Sequence, residues 1–218
     1  MTPLVFQRNQ HERSNTMKRL VAVLSLALAP VLALAEPTTW AIDPSHTQSM
    51  FTVRHLVVSN VRGQFDKTTG TVTLDDKDIT KSSVEATIDA KTVNTRDAKR
   101  DEHLRAPDFF DVANHPTITF KSTKVEKAGG DKLKVTGDLT MRGVTKPVVL
   151  DVELPAAVVK DPWGNTRKGF LATTKLNRQD YGLKWSKAVE AGPVVGDEIK
   201  IELEGELIQQ APKTSSAK

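Results

Sequence analysis

Residues 133–154 read Leu-Lys-Val-Thr-Gly-Asp-Leu-Thr-Met-Arg-Gly-Val-Thr-Lys-Pro-Val-Val-Leu-Asp-Val-Glu-Leu. Up to residue 141 an apolar or small residue alternates with a polar one, and this period of two is typical of a β-strand with one buried face. Arg142-Gly143 then suits a hairpin turn, and a weaker alternation covers Pro147–Leu154. The stretch therefore predicts two antiparallel strands with one buried and one solvated face.

The same alternation recurs elsewhere, most clearly over residues 84–90 and 199–207. Turn-forming residues at 129–131 and 161–165 separate several of the candidate strands. With the segments of weaker alternation the chain has eight candidate strands, which predict an all-β antiparallel fold, either a barrel or a sandwich. The weaker segments outside 133–154 are Thr47–His55, Thr71–Asp75, Thr117–Val125 and Lys168–Leu176.

One stretch, Thr95–Val112, breaks the alternation. Its charged residues and Pro107 predict one or two short helices, with Thr95 as the N-cap and Asp97 in the first turn. Phe109 and Phe110 follow the proline. We expect this insert either to plug or cover one end of a barrel, or to place the two phenylalanines in the core.

The N-terminus has the pattern of a secretory signal peptide. An uncharged apolar run of 15 residues, 20–34, follows two basic residues and ends in the small-x-small sequence Ala33-Leu34-Ala35. A membrane-spanning helix needs about 20 residues, so an uncleaved anchor is the less favoured alternative. We expect residues 1–35 to be removed by cleavage after Ala35, whether translation starts at Met1 or Met17.

This cleavage would give a periplasmic or secreted protein without stable membrane insertion. It would leave one domain, residues 36–208, followed by a flexible tail, 209–218. Of the 218 residues none is cysteine, which excludes disulfides, cysteine-ligated metals and thiol nucleophiles. The formal charge of +4 falls to +1 without the signal peptide, because that segment contains four basic residues and one acidic residue. We therefore expect no nucleic-acid partner.

No catalytic signature is present in the sequence. The four histidines after the signal segment lie too far apart in sequence to form a local metal pair. On a barrel, His46 and His55 could still converge with Asp43 or His103 in space, but the favoured prediction is no metal, no catalytic residue and no cofactor. A small-ligand carrier remains, since an eight-stranded barrel has room for one small ligand. The alternative is a lipid-acting enzyme with His103 and Asp101 as its acid–base pair. A second alternative is a stress-induced structural protein with a solid barrel.

Several motifs resemble the YceI family, and the resemblance covers nearly all of residues 38–208. They are Trp40–His46, Phe51–Leu56 and Val61–Phe65 near the start, then Arg100–Leu104, Phe109–Val112 and His115–Phe120, and finally Gly137–Pro147 and Asn177–Gly182. The resemblance implies a lipocalin-like antiparallel barrel, often dimeric, that binds an amphiphile with a long isoprenoid or acyl chain. An isoprenoid quinone or a polyprenyl lipid would be such a ligand, and a homodimer is the expected assembly.

In such a barrel the ligand tail would lie along inward-facing apolar positions. The predicted lining residues are Phe51, Val53, Phe65, Val72, Leu74, Ile88, Phe109, Phe110, Ile118, Phe120, Leu139, Met141, Val148, Leu150, Phe170 and Trp185. Small inward residues such as Ala86, Ala172 and Gly137 favour a cavity over a solid barrel. The matched motifs assign the polar head of the ligand to His55, Arg100, Asp101, His103 and Arg178.

Overall fold

The computed structural model describes residues 36–189 and 192–212. The predicted signal peptide, with its cleavage site and both candidate starts, lies outside the described residues. So do residues 213–218 of the predicted tail. The first residue of that predicted tail, Gln209, belongs to the last strand and pairs with Trp40.

The described part of the chain contains fourteen strands, and twelve of them form one antiparallel sheet. The strands are β1 (Thr38–Ile42), β2 (Gln48–His55), β3 (Ser59–Phe65), β4 (Thr68–Leu74), β5 (Ser83–Asp89), β6 (Val93–Asn94), β7 (Thr117–Gly129), β8 (Lys132–Met141), β9 (Val144–Glu153), β10 (Val159–Lys160), β11 (Thr166–Asn177), β12 (Ala188–Val189), β13 (Gly192–Pro193) and β14 (Val195–Gln209).

The sheet closes into a barrel because β11 pairs with both β9 and β14. The closed ring has the order β11-β9-β8-β7-β5-β4-β1-β14, which confirms the predicted eight-stranded antiparallel barrel. Strands β2, β3 and β6 continue the sheet beyond this ring. The predicted strand Thr47–His55 therefore corresponds to β2, outside the ring, and β1 closes the barrel instead.

The hairpin between β8 and β9 shows how the local sequence fixes the register. Met141 pairs with Val144, and the two turn residues, Arg142 and Gly143, have φ angles of 50° and 73°. Positive φ at both positions is the geometry of the tight turns that match the twist of antiparallel strands. Within β8, a side chain at Gly137 would collide with the ring of Phe120 on β7, so the glycine makes room for that ring.

The predicted helical stretch contains one α-helix, α1 (Ala98–Arg105). Its N-cap is Asp97, whose carboxylate accepts hydrogen bonds from the amides of Lys99 and Arg100, both at 3.1 Å. The prediction of Thr95 as the cap was wrong, because the Thr95 hydroxyl is bonded to side chains of the helix instead. Three short 3₁₀ segments occupy Ile79–Lys81, Ala90–Thr92 and Arg178–Tyr181. None of the described helices has the length and apolarity to span a membrane.

Packed side chains occupy both ends of the barrel. β7 begins at one end, where Ile118 belongs to a core cluster that includes Phe109 and Phe110. It reaches the other end at Val125, which packs with Leu133 and Val135 of β8. Phe109 and Phe110 are 6% and 9% exposed, so the insert after α1 both fills the core and covers one end. The cluster of Trp40, Ile42, Leu74 and Leu207 lies towards the opposite end.

Candidate ligand-binding cavity

An apolar cavity of about 250 Å³ lies inside the barrel. Its wall is built mainly from alternate residues of the ring strands, for example Ala86 and Ile88 on β5 and Leu139 and Met141 on β8. Strands β2 and β3 contribute to the wall as well. The inward positions follow from the pleat of the strands, in which every second side chain points to the same face. All of the predicted lining residues except Trp185 are on the cavity wall, as are Ala86 and Ala172 but not Gly137.

Several of the few polar groups on this wall are hydrogen-bonded to one another or to the backbone. Ser49 and Thr68 are buried, and their hydroxyl oxygens lie 2.7 Å apart. Ser82 accepts a hydrogen bond from the Asp75 amide at 3.0 Å. Since apolar side chains make up most of the wall, the interior suits a hydrocarbon chain better than a polar substrate.

Trp185 lies outside the cavity wall. Its ring packs against Phe109, with the ring centroids 5.5 Å apart, and Phe109 in turn lines the cavity. Trp185 also contacts the imidazole of His103 edge-on at 5.4 Å. It therefore supports a lining residue from behind and does not face the interior.

Arg178 is the one predicted head-group residue that lines the cavity, but its guanidinium is fully engaged. The side chain is 3% exposed. Its five N–H groups match five hydrogen bonds, four of them to backbone carbonyls and one to the carboxylate of Asp197. The carbonyls belong to Leu183, Trp185, Val195 and Gly196. In this geometry Arg178 ties the 183–185 loop to the start of β14 and has no donor left for a ligand.

The other predicted head-group residues do not line the cavity and are not brought together. Asp101 is buried, and its carboxylate accepts from the amide and hydroxyl of Thr95 at 2.8 and 2.5 Å. Arg100 donates to the same threonine. His55 lies at the end of β2, paired with Val195.

His103 forms its polar contact with Asp108, whose Oδ2 lies 2.7 Å from Nε2 of the imidazole. The hypothetical acid–base pair of His103 with Asp101 is therefore not formed, because Asp101 is bonded to Thr95. Both His103 and Asp108 are about half exposed, at 42% and 45%. They lie on the surface of the segment that covers the barrel end, where the imidazole of His103 packs edge-on against Phe109, with the ring centroids 4.9 Å apart.

A second polar cluster surrounds Arg167, which the sequence did not single out, and includes Asp43 and His46, two of the residues considered for a metal site. The guanidinium lies 2.6 Å from Asp43, 2.7 Å from Asp161 and 2.8 Å from Glu206. Ligand atoms of Asp43, His46 and Glu206 lie within 4.8 Å of one another, a spacing that suits a metal ion. The Arg167 guanidinium already bonds to two of these three residues, so the arrangement is that of an internal ion-pair network.

This network holds two carboxyl groups in their charged form. Burial raises the pKa of Asp43, but hydrogen bonds from Arg167, His46 and the Ser45 amide outweigh burial and bring this pKa to about 2. Burial likewise raises the pKa of Asp161, and its bonds from Arg167, Asn165 and the Trp163 amide bring it to about 2. The ordinary value for both is 3.8.

The lowered pKa values predict a loss of stability in acid. Because the folded pKa values of Asp43 and Asp161 lie below their unfolded values, their contribution is complete above about pH 4 and is lost as the pH falls towards about 2. Urea unfolding of the Arg167→Met variant should show lower stability at neutral pH and a shallower decrease between about pH 4 and about pH 2. A variant with the same steep acid dependence as the wild type would contradict this prediction.

Comparison with known proteins places these features in a family. The YceI-like domain matches residues 40–207, almost the whole barrel. A UPF0312 protein of Vibrio parahaemolyticus is 37% identical over 191 residues, which cover 86% of this chain and 96% of that protein. The crystal structure of a Campylobacter jejuni YceI protein is 32% identical and has a TM-score of 0.62, with 72% of this chain and 90% of that chain covered.

A further solved structure shares the fold at low identity. It is a domain from Saccharophagus degradans described as polyisoprenoid-binding and implicated in plant cell wall breakdown. It is 16% identical to this chain, with a TM-score of 0.58, and the match covers 79% of this chain and 99% of that domain. On the family match and the relatives above 30% identity, the chain belongs to the YceI family.

Proposed function

We propose that this protein is an exported, non-catalytic binding protein that holds a long-chain isoprenoid or acyl amphiphile inside its barrel, for transport, storage or sequestration. The observation that carries the proposal is the apolar cavity inside the barrel. Each methylene group transferred from water to such an interior contributes about 0.8 kcal/mol, so a long tail binds favourably even after the cost of ordering it.

The description of the Saccharophagus domain as polyisoprenoid-binding supports this ligand class. An isoprenoid quinone or a polyprenyl lipid has the required apolar tail and polar end. A binding role is favoured over a lipid-acting enzyme, since His103 and Asp101 are bonded to different partners and neither lines the cavity. The cavity itself favours a carrier over a structural protein with a solid barrel.

Protein purified from its native host should carry the ligand. We expect organic extraction followed by mass spectrometry to release a long-chain amphiphile in near-stoichiometric amount from the purified protein. The control is the Ala172→Phe variant, in which a phenyl ring fills a portion of the cavity. A wild-type protein that carries no such molecule, and takes up none when offered quinones, polyprenyl lipids and fatty acids, would rule out the proposed function.

Export is tested separately. Cell fractionation should find the protein outside the cytoplasm, and the intact mass should correspond to a chain that begins at Glu36, after cleavage at the Ala33-Leu34-Ala35 sequence. A cytoplasmic protein that retains residues 1–35 would contradict export without affecting the binding proposal.

A further inference from the structure

The barrel wall has a break in its hydrogen-bonded ladder between β9 and β11. These strands pair at three positions, with Leu171, Ala172 and Thr173 opposite Glu153, Val152 and Asp151. β9 continues to pair with β8 along its whole length, and β11 with β14 from Arg167 to Asn177. Across the described pairings, residues 146–150 of β9 and 174–177 of β11 have no ladder between them; we call these two segments the β9–β11 gap.

A surface groove lies over the β9–β11 gap. It is bordered by residues 146–149, by residues 174–177 and by Asp180 and Tyr181 in the 3₁₀ segment after β11. Three residues line both this groove and the inner cavity, namely Val148, Thr174 and Leu176. These three residues therefore border the groove on one side and the cavity on the other.

Side chains, not backbone bonds, hold the two edges of the gap together. The Thr174 hydroxyl donates to the Val149 carbonyl at 2.8 Å. The ammonium group of Lys146 lies 3.5 Å from the carboxylate of Asp180, and these side chains are 44% and 54% exposed. Such contacts open by rotation about side-chain bonds, whereas a passage between β8 and β9 or between β11 and β14 would require rupture of a ladder that runs along the whole strand.

Both ends of the barrel offer less access. Phe109 and Phe110 are buried in the cluster at one end, and Trp40 and Leu74 are 4% and 3% exposed towards the other. A ligand tail that entered at either end would have to displace large packed side chains. At the β9–β11 gap it would have to push aside the apolar side chains of Val148 and Leu176.

We propose that the β9–β11 gap is the entrance of the cavity, through which a long-chain amphiphile passes tail first. This inference rests on the proposed function. The polar end of the ligand then stays in the groove, beside Lys146, Asn177 and Asp180, while the tail extends past Val148 and Leu176 into the barrel. The arrangement places polar groups outside the wall and apolar groups inside it, as the ligand class requires.

The first test removes the hydroxyl bond across the gap. In stopped-flow measurements with a pyrene-labelled hexadecanoic acid, uptake and release by Thr174→Val should accelerate by roughly three- to tenfold, the rate equivalent of one net hydrogen bond. The control is Thr145→Val, which removes a 2.8 Å contact between the hydroxyls of Thr140 and Thr145 where β8 and β9 are fully paired. Its rates should equal those of the wild type.

The second test locks the gap. The chain has no cysteine, so the double variant Val149→Cys/Lys175→Cys would introduce the only two thiols, at positions that face each other if the β9–β11 register is extended. Oxidation, verified by mass spectrometry, should slow uptake by at least about tenfold, and reduction should restore it. The matched control is Thr140→Cys/Thr145→Cys, a directly paired position of β8 and β9.

The outcomes separate the two proposals. If the pyrene probe binds normally and its uptake and release rates are unchanged in Thr174→Val and in the oxidised gap variant, the proposed entrance is wrong and the proposed function is unaffected. If the wild type and all variants failed to bind the probe and extracts of the native protein held no amphiphile, the proposed function would fail, and the entrance with it. Slower uptake in the oxidised control as well would also contradict an entrance at the gap.

Discussion

Ala172→Phe is expected to weaken binding of a long-chain amphiphile by roughly a hundredfold. Ala172 is buried on the cavity wall, paired with Leu203 of β14 and Val152 of β9, so a larger side chain has to extend inwards. A phenyl ring would occupy a substantial fraction of a cavity of about 250 Å³. If the ring displaces four methylene groups of the ligand, at about 0.8 kcal/mol each, the affinity falls by somewhat more than roughly a hundredfold.

The neighbouring position provides the control for this prediction. Thr173 is on the same strand but does not line the cavity, so Thr173→Phe adds the same ring to the outer face. Fluorescence titration with pyrene-labelled hexadecanoic acid should show near-wild-type affinity for Thr173→Phe and a large loss for Ala172→Phe. Thermal unfolding of both variants establishes that the barrel still folds. A folded Ala172→Phe variant with wild-type affinity would show that the ligand binds elsewhere.

Arg178→Met is expected to lower the free energy of unfolding by about 3–5 kcal/mol. The backbone carbonyls of four residues lose their hydrogen-bond donor, and each lost hydrogen bond costs about 1 kcal/mol or more. Methionine retains an apolar side chain of similar length but supplies no donors. The carboxylate of Asp197 is half exposed and can be solvated by water, so it adds little to this loss. Urea unfolding at neutral pH measures the difference.

Gln179 is the matched control, because its side chain donates to the same Asp197 oxygen at 2.8 Å from an exposed position. Gln179→Met should cost less than about 1 kcal/mol. An Arg178→Met variant that is as stable as Gln179→Met but fails to bind ligand would contradict the structural role that the five hydrogen bonds of Arg178 indicate. The role of Arg178 would then be recognition of the polar head of the ligand, as the family resemblance implied.

Strand alternation was sufficient to predict an antiparallel barrel or sandwich and the inner face of its wall, and the family resemblance selected the barrel. An alternation with a period of two indicates which residues share a face of a strand. Leu139 and Met141 could therefore be assigned to one face without knowledge of the strand pairing, as could Val148 and Leu150. Trp185 lies in a loop, where alternation carries no information, and it is the one predicted lining residue that packs outside the wall. Whether these residues bind a ligand stays a prediction.

The polar contacts could not be predicted in the same way, because they depend on distances in space. Arg167 and Asp43 are 124 positions apart in sequence, and no local pattern connects them. Asp101 and His103 are close in sequence, yet the helix directs them to different partners, Thr95 and Asp108. The β9–β11 gap was equally hidden, since both of its edges have ordinary strand sequences and only the paired register shows where the ladder stops.

The long strand β14 has a consequence for how the barrel forms. Its last residue, Gln209, pairs with Trp40, and its earlier residues pair with β2 and β11. The ring therefore cannot close until the final strand has been synthesised, and a shorter nascent chain would present the unpaired edges of β1 and β11 to the solvent. Folding governed by such distant contacts is slow. A slow-folding chain stays unfolded for longer, which would favour passage through a translocation channel if the protein is exported as proposed.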